Sequence, residues 1–207
     1  LETVYANDIL GQETLSIMDT LQKLDTTKYQ STNSQSPTYP DTEFGLALKQ
    51  TAMLIKADVG LEVSAIDLGG WDTHFAQGSA SGLMPNLMKD LAEGLAAFHA
   101  DIADHMNQLT TVTMSEFGRR ASENGSLGTD HGHGSMMMVM GGNVNGGKVH
   151  GQWPGMAEGQ LIGPGDLAVA TDYRDVLSEI LTKRLNNSAT NEIFPDYQSK
   201  MPNIIKR

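Results

Sequence analysis

The sequence predicts an α/β fold, with a mainly parallel sheet flanked by helices. Two observations carry this. Short apolar, β-branched runs alternate with helix-patterned stretches, which is the grammar of strand, crossover and strand. Each of three apolar runs also empties into a Gly-rich or polar loop holding ionisable residues, as the strand ends of such sheets do.

Taken in order, the helical pattern opens at residues 3–24, with Val4, Ile9, Leu10, Leu15, Met18 and Leu21 on a broken helix. Residues 25–42 are rich in Ser, Thr, Asn, Gln and Pro and read as a surface loop. Glu43–Ala57 returns to helical spacing through Phe44, Leu48, Ala52 and Ile55. Residues 1–58 thus form a helical lead-in with a polar loop, and residues 59–185 form the core. Glu62–Leu68 is a compact apolar run, expected as a buried strand. The loop Gly69–His74 follows, and then a long helix over Leu83–Met106, whose Leu87, Leu91, Leu95, Phe98 and Ile102 keep steps of three or four.

Leu109–Met114 is the next expected strand, with Thr110, Thr111, Val112 and Thr113 favouring extended backbone. The loop Ser115–Gly134 follows. Met136–Met140 is a further strand, its methionines read as strand core. Asp172–Leu185 is a helix, and Asp172 suits its N-cap. From Asn186 to Arg207 the pattern is irregular.

Composition excludes several classes of function. The formal net charge is −11 and the isoelectric point about 4.8, so nucleic acid is not an expected partner. There is no cysteine, which excludes disulfides and thiolate metal sites. No stretch approaches the roughly 20 apolar residues of a membrane span. Neither a Gly-x-Ser-x-Gly elbow nor a phosphate-binding Walker loop is present. The chain starts at Leu1 on helix-like sequence, and is expected to be a fragment or a processed product.

Three constellations carry chemistry. In Gly69-Gly70-Trp71-Asp72-Thr73-His74, a carboxylate and an imidazole two residues apart point the same way on extended backbone and can share a cation. A turn with a capping Asp72 and a surface His74 is the plain alternative. In Thr129-Asp130-His131-Gly132-His133-Gly134, an Asp and two His lie in a Gly-flanked loop, a donor set that suits divalent metals. In Ser115-Glu116-Phe117-Gly118-Arg119-Arg120, Glu116 is a candidate ligand or general base. Arg119 is a candidate clamp for an oxyanion; a structural Glu–Arg pair is the alternative. Asp72, His74, Asp130, His131 and His133 are therefore the candidate metal ligands, and Glu116 and Arg119 the candidate catalytic residues. His99 and His105 read as helix surface or packing residues, and Trp153 as a residue packing a turn.

These motifs, with Gly141-Gly142 and Thr171-Asp172-Tyr173-Arg174, resemble the DUF1501 family over about residues 60–185. The resemblance implies an alkaline phosphatase-like fold, shared with sulfatases, of which this chain would be the C-terminal portion. It implies a divalent metal (Zn, Mn or Ca) and a metal-dependent hydrolase of phosphate or sulfate esters, or a degenerate relative. The alternative is a non-catalytic envelope or extracellular protein on an inherited hydrolase fold. Expected partners are a small anionic ester, or a sulfated or phosphorylated glycan, and the N-terminal half of the same protein. The expected location is periplasmic or extracellular.

Relatives of that fold take one metal on an Asp, a His and a later His. The resemblance puts Asp72 and His74 first, and leaves two registers for the rest. By letters, Asp130-His131-Gly132 is the Asp-His pair and His150 the late His. By position, which is preferred, Ser115-Glu116 follows its strand where the pair sits, so that Glu116 replaces the Asp and Phe117 the His, and His131 or His133 is the late His. The relatives' nucleophile, a Ser, Thr or modified Cys, lies near the N-terminus of a full-length member and is not assignable in this chain.

Overall fold

The computed structural model describes residues 37–206. The helix expected over residues 3–24, and most of the polar loop after it, lie outside the described residues. The described residues fall into two compact units, one of residues 37–69 with Met88–Ala103, the other of Gly70–Leu87 with residues 104–206.

In the first unit, α1 (Glu43–Lys56) starts where Thr42 caps it: the Thr42 hydroxyl accepts from the Gly45 N–H at 3.0 Å. Phe44, Leu48 and Ala52 recur every four residues, and all three are buried. Phe44 and Leu48 lie against Gly94 of α2 (Leu83–Asp101), on which Ala97 and Phe98 are also buried. Gly94 is required there, since a Cβ would stand 2.7 Å from the Phe44 ring. The helix expected to reach Met106 ends at Asp101, and a 3-10 turn covers Ala103–His105. Lys56 and Tyr39 both donate to the Asp101 carboxylate, at 2.8 and 2.9 Å.

The segment Glu62–Leu68 departs from its reading as a buried strand. It forms no ladder among the described residues, and Val63 is 72% exposed. An apolar run becomes a strand only where a neighbour pairs with its backbone, and composition does not supply that neighbour.

The second unit holds two ladders. β1 (Thr111–Val112) pairs antiparallel with β4 (Val139–Met140), and β2 (Gly118–Arg119) pairs antiparallel with β3 (His131–Gly132). No parallel pairing occurs among the described residues. Thr113 N–H donates to the Met138 carbonyl at 2.9 Å, which carries the first ladder further. Met137 and Val139 pack on the core while Met136 is 61% exposed, so the methionine run alternates and only half of it is core.

That core joins Val144, Val176, Ile204 and Ile205. Val176 comes from α3 (Tyr173–Arg184), whose N-cap is Asp172, accepting from the Arg174 N–H. The tail expected to be irregular contains one helical turn, α4 (Thr190–Ile193), and then returns to the core. The fully buried Glu179 of α3 accepts from the backbone N–H of Ile204 at 3.1 Å and of Ile205 at 2.9 Å. Lys183, one turn along, donates to the same carboxylate at 2.7 Å. Asp175 on the same face accepts from the Tyr197 hydroxyl and the Lys200 N–H. Two carboxylates four residues apart therefore hold the tail by its amides. No helix among the described residues is long and apolar enough to cross a membrane.

Candidate metal centre

The site lies within the second unit, where three loops meet. Gly70, at φ +91°, lets the chain turn into Trp71-Asp72-Thr73-His74. Thr73 is buried, and its hydroxyl donates to the Gln77 side-chain carbonyl at 2.9 Å, as does the Thr129 hydroxyl at 2.8 Å. Thr129 N–H donates to the Thr73 carbonyl at 3.3 Å. Gly128 makes this approach possible, because a Cβ there would collide with the backbone of His74. The loop before β3 is thus seated on the loop that carries Asp72 and His74.

Asp72, His74 and His131 offer three ligand atoms that all lie within 4.8 Å of one another. Asp72 Oδ1 is 3.1 Å from His74 Nε2 and 2.7 Å from His131 Nε2. The other His74 nitrogen, Nδ1, is 3.1 Å from Asp130 Oδ1. Asp130 is itself held by Asn124 Nδ2 at 2.9 Å and Arg120 at 3.2 Å. A carboxylate on Nδ1 fixes the tautomer that leaves the Nε2 lone pair free, the arrangement behind many metal-binding imidazoles.

The donor chemistry fits a divalent cation. With Nδ1–H of His74 donating to Asp130, the Nε2 lone pair faces an Asp72 oxygen, a contact that needs either an added proton or a shared cation. A cation also lets His131 Nε2 and the carboxylate act as ligands together. Two imidazoles and one carboxylate suit Zn and other first-row metals better than Ca, which takes oxygen ligands.

The surrounding charges keep the carboxylates ionised. The hydrogen bond from His131, with His74 and Arg119 close by, holds Asp72 below its ordinary range in spite of partial desolvation. The hydrogen bonds from Asn124 and His74 do the same for Asp130. Asp72, His74 and His131 are each about half exposed, so the group faces solvent with room for further ligands.

Aromatic packing sets the imidazole planes. The Phe117 ring lies 4.1 Å from that of His131 and nearly parallel, at 9°. The His74 and His131 rings are 4.7 Å apart. Arg119 lies over the Phe117 ring at 4.9 Å.

The other expected residues take different places. Asp130 stands behind His74 and outside the three-ligand group. His133 turns to Asp166, with Nδ1 2.6 Å from Oδ2. Arg119 donates to the carbonyls of Thr129 and Trp71, and reaches Asp72 only at 3.4 Å. It ties the loops together. Glu116 is exposed and lies outside the three-ligand group. His150 Nε2 faces the Asn145 carbonyl at 2.9 Å.

Sequence reading missed Arg120, Asn124 and Asp166. Arg120 reaches both Asp130 and Asp166, the latter at 3.5 Å. The only signal for Asp166 was an acid at the end of the Gly163-Pro164-Gly165 turn.

A protein-family model described as "Protein of unknown function (DUF1501)" matches residues 8–186. No curated protein and no solved structure gives a significant match to the chain.

Proposed function

The chain belongs to the DUF1501 family, and from that membership and the site geometry we propose a metal-dependent hydrolase of phosphate or sulfate esters. We place it on an alkaline phosphatase-like α/β fold with a mainly parallel sheet, in an exported protein. The observation that carries the reading is the convergence of Asp72, His74 and His131 on one small volume, with Asp130 behind His74.

A divalent metal held by these three residues supplies a Lewis acid for the ester oxygens and lowers the pKa of a bound water. The protein's own residues do the rest. Asp130 orients His74, Phe117 orients His131, and Arg119 holds the Asp72 loop against the Thr129 loop. Glu116, exposed next to Phe117, is the proposed general base. The exposed setting suits a small anionic ester or the charged group of a modified glycan.

The test is a metal analysis joined to a substrate panel. The purified protein is expected to hold near-stoichiometric Zn or Mn and to hydrolyse aryl phosphates or sulfates. Asp72→Ala is expected to lower turnover by about 10²-fold or more. Wild-type protein that takes up no metal, and gains no thermal stability when these ions are added, would refute the proposal.

A second reading is a non-catalytic envelope protein on the inherited fold. The engagement of Arg119 on backbone carbonyls favours it, because that side chain is then not free to bind an anion. Metal uptake without turnover above the Asp72→Ala level would select this reading.

A further inference from the structure

Asn124 meets the site at two points that lie far apart in sequence. Its Nδ2 donates to the His74 carbonyl and to Asp130 Oδ1, both at 2.9 Å. The same Asp130 oxygen accepts from His74 Nδ1 at 3.1 Å. One amide group therefore grips the main chain of His74 and the carboxylate that turns its ring. Arg120 steadies Asp130 from the other oxygen, at 3.2 Å.

The remaining polar atoms of Asn124 fix where that amide points. Its Oδ1 accepts from the N–H groups of Ser126 at 2.8 Å and Gly128 at 3.1 Å. Its own N–H donates to the Gly128 carbonyl at 2.8 Å, which draws in the glycine seated on the His74 backbone. With Oδ1 committed to two donors, Nδ2 is the atom left for two acceptors, so a single amide orientation satisfies every neighbour. The turn uses the oxygen and the metal site uses the nitrogen. Aspartate would keep the first and lose the second; serine would be too short to reach either acceptor.

The two imidazoles of the site are held by different means. Phe117 stacks on His131 at 4.1 Å. His74 is 45% exposed, and its position depends on hydrogen bonds. A metal ligand must be held to about 0.5 Å and 10–20°. That takes a fixed main chain and a fixed ring rotation together, and Asn124 contacts the group that sets each.

We propose that Asn124 is a positioning residue for metal binding, which fixes the backbone and the ring of His74 at once. The inference rests on the metal-dependent reading above and deepens it: a side chain outside the ligand group sets the geometry of one ligand.

The experiment titrates the intact chain, stripped by chelator, with Zn and separately with Co(II). Wild type is compared with Asn124→Ser and Asn124→Asp, and Asn124→Ser is also combined with Asp130→Ala. Asn124→Ser is expected to weaken Zn binding by about 10- to 100-fold. Asn124→Asp keeps the oxygen that closes the turn, so its metal-free melting temperature should stay close to that of wild type. It lacks both donations and sets a carboxylate against Asp130, so it too should bind Zn at least about tenfold more weakly. In the Asp130→Ala background, the further loss from Asn124→Ser should shrink to about threefold or less, because part of its path is already cut. The visible bands of the Co(II)-loaded Asn124→Ser protein should shift, which a role in folding alone would not cause. Zn affinity at the wild-type level or above in either variant, or unshifted Co(II) bands, overturns this inference and leaves the metal reading intact. An equal loss with and without Asp130→Ala overturns it too, since Asn124 would then act through the turn alone. Wild-type protein that binds neither ion overturns both.

Discussion

Substituting Asp130 by Asn separates a ligand from its support. The carboxylate accepts from His74 Nδ1 at 3.1 Å, Asn124 Nδ2 at 2.9 Å and Arg120 at 3.2 Å. The amide has the same shape but no charge, so His74 loses the partner that makes its Nε2 a stronger donor. Changes of this kind behind a metal-bound histidine cost about 10- to 100-fold in affinity. Asp130 is 38% exposed, and water will take over part of its role, which favours the lower end. The assay is competition for Zn against a fluorescent chelator near neutral pH, with the metal-free melting temperature as a control. The prediction is about tenfold weaker binding for Asp130→Asn and near-complete loss for Asp72→Asn. Equal loss in both would make Asp130 a direct ligand. No change for Asp130→Asn would refute the supporting role.

Two further predictions concern the framework. Glu179→Gln leaves amide hydrogens facing the N–H groups of Ile204 or Ile205 and breaks the buried contact with Lys183, so it should cost about 3–5 kcal/mol. That lowers the melting temperature by about 6–20 °C, read by calorimetry. Burial pushes the Glu179 carboxyl up, but hydrogen bonds from Lys183, Ile205 and Ile204 outweigh it and leave the folded value below 4.5. A depressed folded value means that the contribution is complete above about pH 4.5 and is lost as pH falls through the folded value. The stability gap between wild type and Glu179→Gln should therefore narrow in acid, and a gap that widened there would refute the assignment. Gly128→Ala should weaken Zn binding and cost about 1–3 kcal/mol in denaturant unfolding, because its Cβ meets the His74 backbone. Gly125→Ala, with nothing within 4 Å, is the control expected to leave metal affinity unchanged.

The sequence made some of this legible and concealed the rest. Helices α1, α2 and α3 were readable because their apolar residues repeat at three or four, and α3 also because Asp172 is a capping residue type. The methionine run was readable only by half, since alternation on a pleated backbone sends Met137 inward and Met136 outward. Glu62–Leu68 was misread, because strand formation depends on a partner that local composition does not name. At the site, Asp72, His74 and His131 stood out through residue type and glycine-flanked loops. Their division of labour did not. Whether Asp130 binds a metal or backs His74 depends on 3 Å contacts between residues 56 positions apart. Arg119 looked like an anion clamp because a strand-end arginine is often free, yet the carbonyls of Trp71 and Thr129 occupy it. Asp166 carried no periodic or motif signal, and only the fold places it beside His133.

The proposed site has Asp72, His74 and His131 together holding one divalent metal. Zinc K-edge X-ray absorption on the zinc-loaded protein tests it directly. The expected spectrum shows two imidazole nitrogens and oxygen donors at about 2.0–2.1 Å, with one imidazole lost in His131→Ala. A spectrum of zinc surrounded by water oxygens alone, unaltered in that variant, would contradict it.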